Sequence, residues 1–151
     1  MDVIEAIQTR RSIRKFKPDP VPEEHIRTII DLASYAPSAG NRQMWKFLAV
    51  TNRMALEEMR EAILHKLNIL LERPESEDYR ARLEAAKGYS TFFADAPVTI
   101  VVLGEPYRSA VDEVLERMGW DKSAIDGLRQ RPDLQSIGAA IQNLCLVAHA
   151  M

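Results

Sequence analysis

Trp45-Lys46-Phe47-Leu48-Ala49-Val50-Thr51 is a short apolar run, rich in aromatic and β-branched residues and closed by Asn52. That composition predicts a β-strand. Trp45 reads as a core residue rather than a ligand contact. Val98 to Leu103 (VTIVVL) is the other convincing strand, and its unbroken apolarity predicts burial on both faces.

Around these two runs the apolar spacing is helical. Val3 to Thr9 reads as a short helix, with Asp2 and Glu5 spaced as a capping box and Val3, Ile4, Ala6 and Ile7 as one stripe. Pro22, Glu23 and Glu24 open a second helix; Ile26, Ile29, Ile30 and Ala33 form its buried face, and Pro37 marks its end. Met54 to Glu72 repeats Leu56, Met59, Ile63, Leu67 and Leu70, until Arg73 to Ser76 breaks the pattern. Asp78 to Phe93 follows as a charged helix with Leu83 and Ala86 inward. Tyr107 to Met118 and Ser123 to Arg129 read as shorter surface helices. Pro132 and Asp133 open the last helix, which carries Ile137, Ala140, Ile141, Leu144 and Ala148 on one face, with Cys145 and Val147 beside it. A helix apolar on most sides is expected to be buried, and Gly138 to Ala140 to admit another backbone closely.

The fold class is therefore α+β. Two strands do not make an independently stable sheet, for which three or more are usually needed. The last helix also reaches Ala150 and Met151 without a glycine or proline stop signal. The expectation is a single domain over 1–151 that lacks its C-terminal part, its sheet completed by residues or a partner subunit beyond this chain.

Composition narrows the function. An apolar fraction of 46% and a charged fraction of 28% are ordinary globular values and argue against disorder. The formal net charge of −2 means that any anion is held by a local cluster, not by the overall field. One cysteine, Cys145, excludes an internal disulfide and reads as a small core residue, since no activating neighbour is visible. The dispersed His25, His65 and His149 give no zinc spacing, so no metal site is expected. Met1 leads directly into Asp2, and no apolar run approaches the roughly 20 residues of a membrane helix. The expected setting is the cytoplasm.

Two stretches carry chemistry. Arg10-Arg11-Ser12-Ile13-Arg14-Lys15-Phe16 gathers four cations and a hydroxyl just past the first helix. Guanidinium forks match phosphate oxygens two bonds at a time. A solvated basic patch is the plainer alternative, because cations at a helix C-terminus are favoured by the macrodipole anyway. Pro37-Ser38-Ala39-Gly40-Asn41 reads as a helix-to-strand loop, in which Gly40 and Asn41 tolerate positive φ and Ser38 can bond a neighbouring backbone group. Lys17 to Pro22, with three prolines, forces an extended connection from the basic segment to the second helix.

Taken together, Arg10-Arg11-Ser12-Ile13-Arg14 after an N-terminal helix and Pro37-Ser38-Ala39-Gly40-Asn41-Arg42-Gln43-Met44-Trp45 before the first strand resemble the FMN-dependent nitroreductase family. The late helix, IGAAIQNLCLVAHAM, is similar to the family's core helix, and the resemblance covers essentially the whole chain. It implies a homodimer with a mixed sheet flanked by helices and FMN at the dimer interface. Carried over residue by residue, Arg10, Arg11 and Ser12 would hold the FMN phosphate and ribityl chain. Arg14 would sit near the N1–C2 carbonyl edge, where a fixed cation favours flavin reduction. Pro37, Ser38 and Asn41 would line the flavin from the other subunit.

The implied activity is electron transfer from NADH or NADPH through FMN to a nitroaromatic, quinone or similar small-molecule acceptor, by a ping-pong mechanism. The cofactor carries the chemistry, so no catalytic side chain is nominated. Residues shaping the substrate face are expected between Tyr107 and Arg131. Met44 stands where the family often has proline. The family's later Gly-Leu-Gly-type loop, further strand and late basic residue have no counterpart in these residues. Alternatives are an FMN-binding or storage module without turnover, and a family relative with dehalogenase or flavin-fragmenting chemistry. A nucleic-acid partner is not expected, since the basic patch lacks a helix-turn-helix pattern, nearby stacking aromatics or a basic excess.

Overall fold

In the computed structural model, which describes residues 1–151, the first strand run forms β1 (Trp45–Val50) and the second forms β2 (Thr99–Gly104). They make a two-stranded sheet. The Glu105 N–H donates to the Met44 carbonyl at 2.8 Å, so the end of β2 lies beside the start of β1 and the strands run antiparallel. Seven α-helices accompany them in the chain: α1 (Val3–Thr9), α2 (Glu23–Ser34), α3 (Arg53–Leu71), α4 (Arg80–Thr91), α5 (Ala110–Arg117), α6 (Lys122–Arg129) and α7 (Pro132–Ala150). The chain divides into two compact units, and the division passes through both strands.

The first unit comprises Met1–Arg10, Glu23–Leu48 and Val102–Met151. Its core is Ala36, Trp45 and Ala140, with Phe47, Val102 and Ala139 packed against them. Trp45 is a core residue, as its strand position predicts. Helix α2 lies along α7, burying Ile26 and Ala33 and half-burying Ile29 and Ile30. Asp2 caps α1 by accepting the Glu5 N–H at 2.9 Å. At the far end of α1 the Thr9 hydroxyl donates to the Glu5 carbonyl at 2.6 Å and lies 2.9 Å from Nε2 of His149 on α7. With its proton committed to Glu5, that hydroxyl accepts from the imidazole.

The second unit comprises Arg11–Pro22 and Ala49–Val101. Asn52 caps α3, its side chain accepting the Met54 and Ala55 N–H groups. Leu56 is fully buried, and α3 packs on α4 and on the 3₁₀ turns Pro74–Tyr79 and Phe92–Asp95. Arg53 donates to the Ala96 carbonyl at 3.0 Å, and Arg60 pairs with Asp95, so two cations of α3 clamp the turn that leads into β2.

Several expected burials do not occur. On α1 only Ala6 is buried; Val3, Ile4 and Ile7 stand exposed. On α3 the stripe closes on Leu71, not Leu70. Four-residue steps from Ile63 keep Leu67 and Leu71 on one face, while Leu70 turns 50% to solvent. β2 is only half-buried, with Leu103 exposed, since a sheet of two strands cannot cover both faces. Helix α7 buries Asp133, Ser136 and Ala140 but leaves Ile141 and Ala148 exposed, and no atom approaches the open side of Gly138. No helix is long and apolar enough to cross a membrane.

Candidate functional site

The loop between α2 and β1 is a 3₁₀ turn over Ala39–Asn41 in which Gly40, Asn41 and, just beyond, Gln43 all have positive φ (58°, 51° and 46°). Two of these three are not glycine. Such strain persists only where surrounding bonds over-determine it, and it clusters at functional sites. The bonds here are specific. The Gln43 N–H donates to the Ser38 hydroxyl at 3.0 Å, the Gln43 side chain to the Ser34 carbonyl at 3.3 Å, and the Ala39 N–H to the buried Ser136 hydroxyl on α7 at 3.2 Å. Ser38 thus holds the loop as the sequence suggests, while Pro37 and Asn41 are exposed on it. Met44 is buried, and its carbonyl takes the strand-end bond from Glu105.

The basic segment has no regular secondary structure after Thr9. Arg10 closes α1, its N–H donating to the Ala6 carbonyl at 3.0 Å, and belongs to the first unit with Pro37, Ser38 and Asn41. Arg11, Ser12 and Arg14 belong to the second unit. Arg14 is the best-defined of the set. Its Nη2 donates to the Tyr89 hydroxyl at 2.5 Å and its Nη1 reaches the Ser12 carbonyl at 3.4 Å. The guanidinium carbon lies 4.3 Å from the Tyr89 ring centroid and 5.6 Å from that of Phe92. Phe92 in turn stacks on Phe16, with centroids 6.1 Å apart and planes at 20°. The charge of Arg14 is met by aromatic faces and neutral oxygens, which leaves it available to an anionic or carbonyl ligand. The sequence does not mark Tyr89 and Phe92 as part of this cluster, because tertiary packing brings them there and no local spacing betrays it.

The stretch from Tyr107 to Arg131 shapes a cavity of about 300 Å³ within the first unit. Each cation on its wall has an acidic partner: Arg108 with Glu116, Lys122 with Asp126, Arg129 with Asp112 and Arg131 with Asp133. Burial pushes the Asp112 carboxyl up, yet the Ser109 N–H and hydroxyl together with Arg129 and Arg108 hold it below the usual carboxylate range. The Arg131 fork, at 3.1 and 2.8 Å, likewise holds Asp133 low against its burial. The charged side chains of the cavity wall thus neutralise one another. No group of three or more His, Cys, Asp or Glu residues is placed to hold a metal ion.

Comparison with known proteins agrees on one family. The family model described as the nitroreductase family matches residues 7–151. A protein of Methanothermobacter thermautotrophicus, provisionally named NADH dehydrogenase/NAD(P)H nitroreductase, is 35% identical over 151 residues, covering all of this chain and 57% of that protein. A BluB-like flavoprotein from Clostridium difficile 630 superposes with a TM-score of 0.89 at 33% identity, over 98% of this chain and 69% of its own. A nitroreductase with bound FMN from Desulfitobacterium hafniense gives 0.66 at 26% identity, over 99% and 66%. The fold is the α+β nitroreductase-like fold, and the chain spans little more than half to about two-thirds of the length of these relatives.

Proposed function

The chain belongs to the nitroreductase family, and from that membership we propose that it is an FMN-dependent oxidoreductase, taking electrons from NADH or NADPH and delivering them to a small acceptor such as a nitroaromatic or quinone. The observation that carries the reading is Arg14: a guanidinium fixed on an aromatic tray, with no carboxylate to neutralise it. The donor set fits FMN. Arg10, Arg11 and Ser12 bind phosphate and ribityl oxygens, and Arg14 offers remaining N–H groups to a carbonyl edge that gains negative charge on reduction. Pro37, Ser38 and Asn41, on a loop locked by Gln43 and Ser136, line the flavin from a second copy. FMN, when bound, supplies the hydride acceptance and onward electron transfer of a ping-pong cycle. The protein's own residues bind, orient and bias the charge.

Val3, Ile4 and Ile7 support the homodimer in this reading, because an exposed apolar stripe on a terminal helix is suited to cover by another copy. A cytoplasmic setting belongs to the same proposal. The test is to load the purified chain with FMN and follow NADH and NADPH consumption with and without a quinone. A chain that takes up no FMN overturns the oxidoreductase; one that binds FMN but consumes neither nucleotide is a binding or storage module. The likeness to a BluB-like flavoprotein favours one second reading, flavin-fragmenting chemistry. Its signature is loss of the flavin chromophore when the FMN-loaded protein, reduced by NADH or NADPH, meets oxygen with no other acceptor added.

A further inference from the structure

We propose that Tyr89 is a positioning residue for Arg14, setting the orientation in which the guanidinium meets the flavin; this rests on the placement of Arg14 at FMN given above. Tyr89 stands in the last turn of α4 and is 63% exposed, so its ring is not there to fill the core. It contacts Arg14 in two independent ways, the hydroxyl accepting from Nη2 at 2.5 Å and the ring lying under the guanidinium carbon at 4.3 Å. A hydrogen bond fixes the direction of the fork, and the ring quadrupole fixes the plane. An arginine has five N–H donors. Only two are engaged here, and one of those only at 3.4 Å. The others are left for a ligand.

A long exposed side chain ordinarily loses rotamer freedom when it captures a ligand, and that loss weakens binding. Arg14 is already ordered by Tyr89, backed by Phe92, which is itself fixed by its stack on Phe16. The basic segment is thereby attached to α4 and the turn after it through two of its side chains, Arg14 and Phe16. Tyr89 touches no reacting atom in this scheme. It acts through Arg14 alone, and that restriction is what makes the proposal testable.

The experiment measures the FMN dissociation constant and the two-electron midpoint potential of the FMN-loaded protein for the parent, Tyr89→Phe, Arg14→Ala and the double variant. Arg14→Ala is expected to reduce the preference for reduced over oxidised flavin about tenfold, or about 30 mV for a two-electron couple. Tyr89→Phe keeps the ring and removes the hydrogen bond, and its expected effect is about threefold in the same direction. In the Arg14→Ala background the Tyr89 effect disappears. A Tyr89→Phe variant with the parent's potential, or one whose effect persists without Arg14, overturns the positioning role and leaves Arg14 at the flavin. An unchanged potential and affinity in Arg14→Ala overturns the placement of Arg14 and the proposal with it. If Arg14→Ala retains no FMN, Arg14→Lys, which keeps the charge and loses the fork, takes its place in the same cycle.

Discussion

The hydroxyl of Tyr107 lies 3.4 Å from the position a Cβ would occupy on Gly40, while Gly40 itself sits at a φ of 58°. Residue 40 is therefore constrained by its dihedral, while the Tyr107 hydroxyl leaves an added methyl at ordinary contact distance. Gly40→Ala is expected to destabilise the protein by about 1–2 kcal/mol, mostly from the left-handed conformation. Adding Tyr107→Phe removes the close oxygen but not the strain. Chemical denaturation of the single and double variants decides between the two causes: full recovery in the double would assign the cost to crowding.

The positive φ at Gly40 and Asn41 was legible in the sequence because those residue types reach that region most easily; Gln43 was not, since nothing local marks it. The same contrast runs through the fold. Caps and breaks come from short-range chemistry, so Val3–Thr9 emerges at its observed bounds and α2, expected to open at Pro22, begins one residue later at Glu23. Burial does not, because periodicity says which residues share a face and not whether that face finds a cover. Ile4 and Ile7 on α1, Leu103 on β2 and Ile141 on α7 have the apolar character of a core and remain exposed. At the site, Arg14 was visible as a residue type in a motif, whereas its partner Tyr89, 75 positions away, is joined to it only by folding.

Leu56 is the one large side chain with no exposed surface, and it stands on α3, the helix that packs on α4 and on the Phe92–Asp95 turn. Leu56→Ala removes that packing and leaves a cavity, at an expected cost of about 2–5 kcal/mol. Urea denaturation checks it. A loss under about 1 kcal/mol would mean that the surrounding helices collapse onto the smaller side chain.

Asp133 gives a pH signature. Its hydrogen bonds from Arg131, foremost among the causes, hold the carboxyl below its ordinary value of 3.8 despite burial. A carboxyl whose folded value is depressed stabilises the protein fully above the unfolded value and loses that contribution as pH falls through the folded one. The window is thus below pH 3.8. Asp133→Asn is expected to be less stable than the parent at neutral pH, with the gap narrowing progressively under more acid conditions. A gap that stays constant with pH would show that the fork contributes through shape alone. Asp112, lowered in the same direction, adds to the acid loss of the parent but is common to both proteins.

Ser136 ties α7 to the candidate site. Its hydroxyl donates to the Pro132 carbonyl at 2.7 Å, one turn back, and accepts the Ala39 N–H at 3.2 Å. Ser136 is 6% exposed, so Ser136→Ala leaves the Ala39 N–H without its acceptor in a water-poor place, at an expected cost of about 1–3 kcal/mol. Stability alone does not locate that cost. Hydrogen exchange at the Ala39 amide does, and it is expected to accelerate in Ser136→Ala. Asn52→Ala, which removes the α3 cap in the other unit for about 1 kcal/mol, serves as the control and is expected to leave Ala39 protected. If both variants deprotect Ala39 equally, the loop opens only with global unfolding and Ser136 has no special hold on it. If only Ser136→Ala does, and its FMN affinity falls as well, the serine bonded to the loop is what keeps Ser38 and Asn41 in place for the flavin.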